Sequence, residues 1–268
     1  MKKQKTKANF EIFVVDNDSD DDTKEIASGF KVNYFFVSRS VSDRPRNFAI
    51  PKARGRIISF IDDDAIADKM WIQNIIDWFD RSPKNIAVIG GLIDNLPNGV
   101  IATANHIFDF GNFYGKHERL VRTVPTCNAS FRRDIFKLEK FDDSLFIGED
   151  VDLNWRIKKR GFKIVYCPTI KVLHRSNNKI REFIKKGVLR GSGFAKIREK
   201  HKDIPLQIPK NKYLYFLLLP AFIVGGFFRS LKNEYLIARF LLSLSSIPLF
   251  FLAHIFFWIG VTMAVGKK

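Results

Sequence analysis

Three adjacent carboxylates that follow an apolar run are the residues best suited to chemistry in this sequence. Asp62, Asp63 and Asp64 come directly after the run IISFI at 57 to 61. Because neighbouring carboxylates repel one another, such a cluster is costly unless a cation lies among them. On an extended segment Asp62 and Asp64 point the same way, and this pair is able to hold Mg²⁺ or Mn²⁺ whose other ligands are diphosphate oxygens and water. Helix capping and plain solvation are the competing interpretations.

Two further acidic clusters are candidates for the same site. Asp16 directly follows the apolar run FEIFVV at 10 to 15 and opens a series of aspartates. Glu149 and Asp150 precede a helical segment at 151 to 160. Acids at a helix start often only complement the helix dipole, and Asp-rich turns are often only solvated. The residues alone therefore leave a structural and a catalytic role open for both clusters.

Strand-like and helix-like segments alternate in the first 178 residues and would position these acids. Apolar runs predict strands at 10–15, 34–37, 57–61 and 86–89, and helices are predicted at 23–28, 46–53 and 71–79. This alternation predicts an α/β fold whose largely parallel sheet has helices on both faces. Ligands of such sheets bind beyond the carboxyl ends of the strands, which is where the first two acidic clusters fall.

The positive charge of the chain is concentrated next to an apolar tail. The 268 residues carry a formal net charge of +17 and are 46% hydrophobic, which excludes disordered and collagen-like proteins. Residues 171 to 212 hold 13 Lys and Arg against 3 Asp and Glu, a net charge of +10. Anionic lipid headgroups attract such a segment by about 1 kcal/mol per basic residue. Membrane lipids are therefore expected partners, and nucleic acid is not, because the sequence has no zinc-finger or aromatic RNA-binding signature.

A basic helix is predicted between the first domain and the tail. Ile180, Phe183, Ile184 and Val188 recur at helical spacing among Lys and Arg residues. We assign them to a basic amphipathic juxtamembrane segment at 179–212. Such a helix lies on the membrane surface or packs against the domain with its charged face in water, and the sequence leaves both open.

Two uncharged stretches follow, at 213–228 and 240–266. A helix needs roughly 20 apolar residues to cross a bilayer, so the second stretch is long enough, whereas the first is short and contains Pro220. We predict two transmembrane helices in 213–268, with an interfacial or re-entrant helix as the alternative for the first. The N-terminal sequence has no signal-peptide pattern, so both termini and the first domain are expected in the cytoplasm at the cytoplasmic membrane. Basic residues between the two stretches argue mildly against this topology.

Four segments taken together resemble the successive motifs of family-2 glycosyltransferases with a GT-A fold. They are VVDNDSDDDT at 14–23, RNFAIPKARGRIISFIDDDA at 46–65, TCNASFRR at 126–133, and FDDSLFIGEDVDLNWRIKKRGFKIVYCP at 141–168 with His174 after it. Each motif is weak alone, but their order and spacing make the match specific. The resemblance covers about residues 8 to 178 and implies that 1–178 form a GT-A α/β domain.

The resemblance implies how this domain binds its donor. Asp16 is similar to the residue that hydrogen-bonds the nucleobase, and Arg46 and Asn47 are similar to a pair that lies near the nucleotide. Asp62 and Asp64 match the D-x-D positions that hold Mg²⁺ or Mn²⁺ on the diphosphate, which also makes Asp62 part of the donor site. A nucleotide-sugar donor is therefore implied.

The resemblance also implies the catalytic groups. His174 matches a position that completes the metal site, and Asp150 of the Glu149–Asp150 pair resembles the general base. Asn128 and Arg132, in TCNASFRR, would lie on the acceptor side. A metal that neutralises the departing nucleoside diphosphate and one base that deprotonates the acceptor hydroxyl give inversion.

These roles imply an inverting, metal-dependent glycosyltransferase of the hexosyltransferase type. It would act on a glycan or lipid-linked acceptor in polysaccharide or cell-envelope biosynthesis. The alternatives are a non-catalytic protein of the same fold that binds a nucleotide sugar or a partner enzyme, and a basic membrane adaptor. Aromatic residues at 95–122 are candidates for acceptor contacts, with a buried core as the competing interpretation.

One departure from the family pattern concerns the start of the chain. Family members begin with an apolar strand and a helix before the VVD strand, whereas this sequence starts with MKKQKTKANF. We expect that the strand is absent because the sequence is truncated. A strand supplied by a partner chain and a decayed, inactive protein are the alternatives.

Overall fold

The computed structural model describes residues 3–38, 45–204, 212–232, 234–239 and 244–265 of the 268-residue chain. The first residues and the last residue of the apolar stretch predicted at 240–266 lie outside the described residues. Lys267 and Lys268, which the predicted topology places in the cytoplasm, also lie outside them.

The strands are β1 (Phe13–Asp16), β2 (Asn33–Phe36), β3 (Ile57–Ile61), β4 (Ala65–Ala67), β5 (Ile86–Asn95), β6 (Arg119–Val121), β7 (Asn128–Arg132) and β8 (Lys163–His174). The helices are α1 (Thr23–Ser28), α2 (Pro45–Ala49), α3 (Trp71–Arg81), α4 (Val100–Phe110), α5 (Glu149–Lys159), α6 (Ile180–Lys200), α7 (Lys212–Ser230), α8 (Glu234–Ala238) and α9 (Ile247–Val265). Short 3₁₀ helices occupy Ile50–Lys52, Gly111–Phe113, Arg133–Lys137 and Leu244–Ser246.

The described strands form two sheets. β1 and β2 are a parallel pair. The other six form a mixed sheet in the order β3-β7-β5-β8-β4, with β6 also paired to β8. β3, β5 and β8 run in the same direction, since β7 is antiparallel to both β3 and β5, and β5 is parallel to β8. The expected α/β fold is therefore present.

The expectation of a largely parallel sheet is wrong for the six-stranded sheet, where β5 and β8 form the one parallel pair among its described strands. β7 runs antiparallel to its two neighbours. The chain enters β7 through a turn in which the Asn128 amide donates to the Pro125 carbonyl at 3.2 Å. This turn starts β7 with Asn128 beside Ile61, the last residue of β3, so the strand runs back along β3.

β5 continues well past its predicted end at residue 89. Gly90 and Gly91 lie inside the strand. A Cβ on Gly90 would lie 2.3 Å from Val124 Cγ1, and one on Gly91 would lie 1.8 Å from the Ile170 carbonyl oxygen. The glycines therefore serve close backbone packing, and the strand reaches the site edge.

An apolar layer covers each face of the six-stranded sheet. On one face, Trp71 and Phe79 of α3 are buried in one cluster with Val172 of β8. On the other face, Ile157 of α5 is buried in one cluster with Phe131 of β7. These two layers fix the strand ends that carry the acidic residues.

The C-terminal helix α9 packs along α6. A Cβ on Gly191 would lie 1.7 Å from the carbonyl oxygen of Phe257, and one on Gly260 would lie 1.9 Å from that of Val188. Two helices approach this closely only where glycine removes the side chain. The predicted basic helix is therefore present as α6, and it packs against the apolar tail.

Within the described residues, one helix is long and apolar enough to cross a membrane. This helix is Leu244–Val265, with 22 residues, whereas the apolar part of α7, Tyr213–Phe228, is shorter. The first of the two predicted spans therefore does not meet the length criterion, because its apolar stretch ends at Arg229.

The connection between α7 and α9 contacts the first domain. The Tyr235 ring lies 5.0 Å from the Tyr114 ring. Arg239 donates to the Tyr114 hydroxyl at 2.9 Å and to Asp94 Oδ2 at 3.3 Å. Two complete spans would place this connection across the bilayer from the domain, and these contacts do not fit that arrangement.

Candidate active site

Three strands bring the candidate residues to one edge of the sheet. Segment 62–64 leads from the end of β3 into β4, where Ala65 pairs with His174 at the end of β8. His174 also pairs with Asn95 at the end of β5. The edge that the sequence pattern predicts for ligand binding therefore carries both the D-x-D carboxylates and the histidine.

Asp62, Asp64 and His174 form a compact cluster. One ligand atom from each residue lies within 4.8 Å of the others. His174 Nε2 lies 3.1 Å from Asp64 Oδ1, and the His174 ring packs at 4.7 Å against the Phe110 ring. Two carboxylate oxygens and one imidazole nitrogen are donors that suit Mn²⁺ or Mg²⁺. The residues thus fit the divalent cation that the sequence predicts.

The two carboxylates of the cluster differ in their electrostatics. Burial raises the pKa of Asp62 above its usual value, the nearby Arg46 guanidinium opposes this shift, and the charge of Asp64 adds to it. Burial also acts to raise the pKa of Asp64, but the hydrogen bond and charge of His174 outweigh it, so this pKa is lowered. A cation among these groups would favour the charged form of both.

Arg46 links the metal cluster to the second acidic pair. Its guanidinium lies 3.7 Å from Asp62 Oδ1 and 2.8 Å from Glu149 Oε1. The neighbouring Asn47 ties α2 to segment 141–143, because its amide donates to the Phe141 carbonyl at 2.8 Å. The D-x-D segment and the start of α5 therefore face each other across one arginine.

Asp150 lies at the start of α5 beside Glu149. Its Oδ1 accepts a hydrogen bond from the Val151 amide at 2.7 Å, and its carbonyl accepts one from the buried Asn154 side chain at 2.7 Å. Burial raises the pKa of Asp150 to about 7, and the adjacent Glu149 charge contributes. A carboxylate with such a pKa is able to accept a proton near neutral pH.

Asp16 ends β1 in the smaller sheet. Its carboxylate accepts hydrogen bonds from the Tyr34 hydroxyl at 2.7 Å and the Ser19 amide at 2.8 Å. These bonds, that of Tyr34 first, lower the pKa of Asp16. The side chain is thereby held ionised and oriented.

Two predicted site residues, Asn47 and Asn128, make internal contacts. Asn47 bonds to segment 141–143 on both sides of its amide. Asn128 is 1% exposed; its amide nitrogen donates to the Leu92 and Ile170 carbonyls, and its amide oxygen accepts from Trp71. Asn128 thus joins β5, β7 and β8 inside the sheet, which corrects the expected acceptor-side position.

Arg132 also differs from its predicted place. It pairs with Ile57 at the beginning of β3 and donates to the carbonyls of Ile86 and Ser82. The amino ends of β3 and β5 lie at the opposite edge of the sheet from the cluster. Because Arg132 follows Asn128 by four residues of extended strand, it lies more than about 10 Å farther along.

The sequence did not single out two basic groups that the structure brings to this edge. The charge of Lys186 on α6 helps lower the pKa of Asp64. Arg239 reaches Asp94 near the end of β5. Helical spacing places Lys186 on a charged face of α6, but no local signal indicates which partner that face meets.

The aromatic segment at 95–122 is mainly packed. Phe108 contacts α9, with its ring 5.0 Å from that of His254, and Phe113 contacts Tyr166. Phe110 packs on the candidate metal ligand His174. The buried interpretation therefore accounts for these three rings.

The fold resembles that of a solved sugar transferase. The mannosyltransferase PcManGT from Pyrobaculum calidifontis, in complex with GDP-Man and Mn²⁺, matches 96% of this chain and 78% of its own with a TM-score of 0.59. The sequence identity is 14%, so the likeness concerns the fold alone. This chain has a GT-A-like α/β fold.

Several relatives are glycosyltransferases. Glycosyltransferase AglE of Haloferax volcanii is 28% identical over 197 residues, which are 70% of this chain and 63% of AglE. A pre-mycofactocin glycosyltransferase of Mycobacterium tuberculosis is 25% identical over 65% of this chain and 39% of its own length. The chain thus spans less than two thirds of these relatives. The O-antigen chain rhamnosyltransferase WbaN of Salmonella anatum is 25% identical over 82% of this chain and 81% of its own. The model of the family described as glycosyl transferase family 2 matches residues 1–138, more than half of the sequence, and the chain belongs to that family.

Proposed function

We propose that this chain transfers a sugar, with inversion, from a nucleotide-diphosphate sugar to a hydroxyl of a glycan or lipid-linked acceptor. The observation that carries the proposal is the cluster of Asp62, Asp64 and His174, which Arg46 links to Glu149, the neighbour of Asp150 at the start of α5. One side of this site suits a diphosphate and the other suits proton removal. Family membership and a Mn²⁺- and GDP-Man-bound structural neighbour support it.

The donor side rests on charge complementarity. Asp62, Asp64 and His174 would hold Mg²⁺ or Mn²⁺, which when bound neutralises charge developing on the departing nucleoside diphosphate. Asp16 would accept hydrogen bonds from the nucleobase. Arg46 would offer Nη2 to the diphosphate, since this nitrogen makes only a weak contact of 3.7 Å with Asp62, while Nη1 stays bonded to Glu149.

Asp150 would act as the general base. The acceptor hydroxyl attacks the anomeric carbon as its proton passes to Asp150, and the bond to the diphosphate oxygen breaks. A single displacement on the face opposite the leaving group inverts the anomeric configuration. Arg46 holds Glu149 at 2.8 Å, so Glu149 would orient the pair rather than take the proton.

The relatives support an acceptor in glycan or lipid-linked sugar synthesis. WbaN is named for the O-antigen chain. A Methanococcus voltae relative, 22% identical over 82% of this chain, is named for transfer to a dolichyl-linked amino sugar phosphate. We therefore assign the acceptor to this class.

Membrane attachment at the cytoplasmic leaflet is part of the proposal. We divide the chain into the GT-A domain at 1–178, the basic juxtamembrane segment at 179–212 and the membrane region at 213–268. Exposed apolar side chains on α7, such as Leu217 and Phe228, are suited to lipid. The exposed Arg181 and Lys185 of α6 are suited to anionic headgroups.

Cysteine labelling tests on which side of the membrane the α7–α9 connection lies. We expect Lys232→Cys to resist a membrane-impermeant maleimide in intact cells and to react after permeabilisation, because the neighbouring Tyr235 and Arg239 contact the catalytic domain. Cys127 and Cys167 are buried and give little background. Lys137→Cys, exposed on the catalytic domain, is the matched control. Labelling of Lys232→Cys but not of Lys137→Cys in intact cells would contradict the proposal and support two spans.

Donor protection followed by turnover tests the proposed function. We expect UDP- or GDP-sugars to raise the melting temperature of the full chain only with Mn²⁺ or Mg²⁺ present. At a hundredfold excess of donor over Kd, the free energy of unfolding should rise by about 2.7 kcal/mol. Membrane fractions should then release nucleoside diphosphate with an acceptor extract. Binding without turnover would indicate the non-catalytic alternative. Absence of both would leave the basic membrane adaptor.

A further inference from the structure

The C-terminal end of α6 is bonded to the helix that carries the proposed base. Lys200 Nζ lies 2.7 Å and His201 Nε2 lies 2.6 Å from Oδ1 of Asp152. Asp152 is on α5, two residues after Asp150 and fully buried. None of these three residues belongs to the donor or metal site described above.

Asp152 lies at the centre of a network of ion pairs. Its second oxygen accepts from Arg156 at 2.7 and 2.9 Å. Arg156 also pairs with Glu139, and Lys200 pairs with Asp142 at 2.5 Å. Burial acts to raise the pKa of Asp152, but the hydrogen bonds from Lys200, Arg156 and His201 outweigh it and lower this pKa. Removing one partner of such a buried set leaves the others uncompensated.

α6 also touches the turn directly before the acidic pair. Gly148 has a φ of +88°, and a Cβ there would lie 2.2 Å from Ile197 Cδ1. A Cβ on Gly193 would lie 2.8 Å from the Ile147 carbonyl oxygen. The Gly148 carbonyl accepts from the Asp152 amide at 2.9 Å. The first turn of α5 is thus held by packing at Gly148 and by ion pairs at Asp152.

We propose that Lys200 and His201 are positioning residues, which hold the first turn of α5 so that the Asp150 carboxylate faces the acceptor hydroxyl. Asp152 transmits this restraint, because it lies within the same helical turn as Asp150. Displacement of a reacting group by 1 Å costs about a hundredfold in rate, so a small movement of this turn is enough to matter. The kinetic part of this inference rests on the proposed function, whereas the restraint of α5 does not.

The test replaces the α6 partners and leaves Asp152 in place. Lys200→Met and His201→Leu remove the two bonds to Asp152 Oδ1, because neither new side chain carries a donor. Lys200→Arg keeps the charge, and Lys196→Gln removes an exposed lysine from the same helix as a control. For each full-length variant, kcat, donor KM and amide hydrogen exchange at 147–152 are measured.

We expect kcat to fall by about 10- to 100-fold in Lys200→Met and His201→Leu, with donor KM within about twofold of the unmodified chain. Exchange at 147–152 should rise by at least about tenfold. Lys200→Arg should retain most of kcat, and Lys196→Gln should change neither kcat nor exchange. Unchanged exchange in both Lys200→Met and His201→Leu would overturn the restraint. Faster exchange with unchanged kcat would overturn the effect on the base. If the unmodified chain shows no turnover, the proposed function fails, and exchange alone still decides whether α6 restrains α5.

Discussion

Asp150→Asn is expected to reduce sugar transfer by about a hundredfold to ten-thousandfold, the usual cost of removing a general base, while donor binding stays near normal. The amide keeps the size and the acceptor oxygen for the Val151 amide but cannot take the hydroxyl proton. The measurement compares kcat with the Kd for donor. Glu149→Gln is the matched control and should be milder, because Glu149 contacts Arg46 rather than the acceptor.

The pH profile provides a second check on Asp150. Its pKa is raised to about 7 by burial and by the Glu149 charge, and only the deprotonated form accepts a proton. Transfer by the unmodified chain should therefore rise with pH through about 7, and the residual activity of Asp150→Asn should lack that rise. If Asp150→Asn lowers only the free energy of unfolding, by the roughly 1 kcal/mol expected for a helix cap, and transfer persists, Asp150 is a cap and the mechanism is wrong.

Asp64→Asn is expected to abolish metal-dependent nucleotide binding, and transfer with it, in a chain that stays folded. Loss of groups that only support metal ligands costs about 10- to 100-fold in metal affinity, so loss of a ligand should cost at least about a hundredfold. The side chain is 42% exposed, and the Asn oxygen is still able to accept from His174. Calorimetric titration with UDP or GDP, with and without Mn²⁺, measures the effect.

Asp63→Asn is the matched control for this experiment. Asp63 lies between the two ligands, is exposed and is not part of the cluster, so its loss removes the same charge without removing a ligand. It should retain metal-dependent binding within about threefold, because exposed charges interact weakly through water. Equal losses in both variants would mean that the net negative charge, rather than coordination by Asp64, attracts the cation.

Local sequence patterns predicted the elements whose side chains are set by local burial. The run IISFI forms β3 at its predicted bounds, and α1 covers its predicted residues. The family resemblance correctly grouped Asp62 and Asp64 with His174, although His174 is more than 100 residues away along the chain. A family motif indicates which distant residues share a site, whereas the periodicity of apolar residues indicates only local structure.

The parts of the fold and site that the sequence did not predict depend on contacts between distant segments. The Arg46–Glu149 pair spans 103 residues, and neither local segment indicates the other as partner. Arg132 was misplaced because a motif gives the order of residues but not which end of a strand meets the site. Its direction follows from the turn before β7, which starts that strand at Asn128 beside the last residue of β3, Ile61.

The packing of α9 has a consequence for the order in which the chain completes its fold. Phe108 of α4 lies against Phe250 and Phe257, about 140 residues later in synthesis. Contacts of such long sequence separation form late. The apolar face of α4 that α9 covers therefore stays exposed until α9 has left the ribosome. During that interval, chaperones or the bilayer are able to shield it. The tail is in this sense part of the core of the folded domain, and a chain cut before residue 247 would lack part of its interior as well as the proposed membrane anchor.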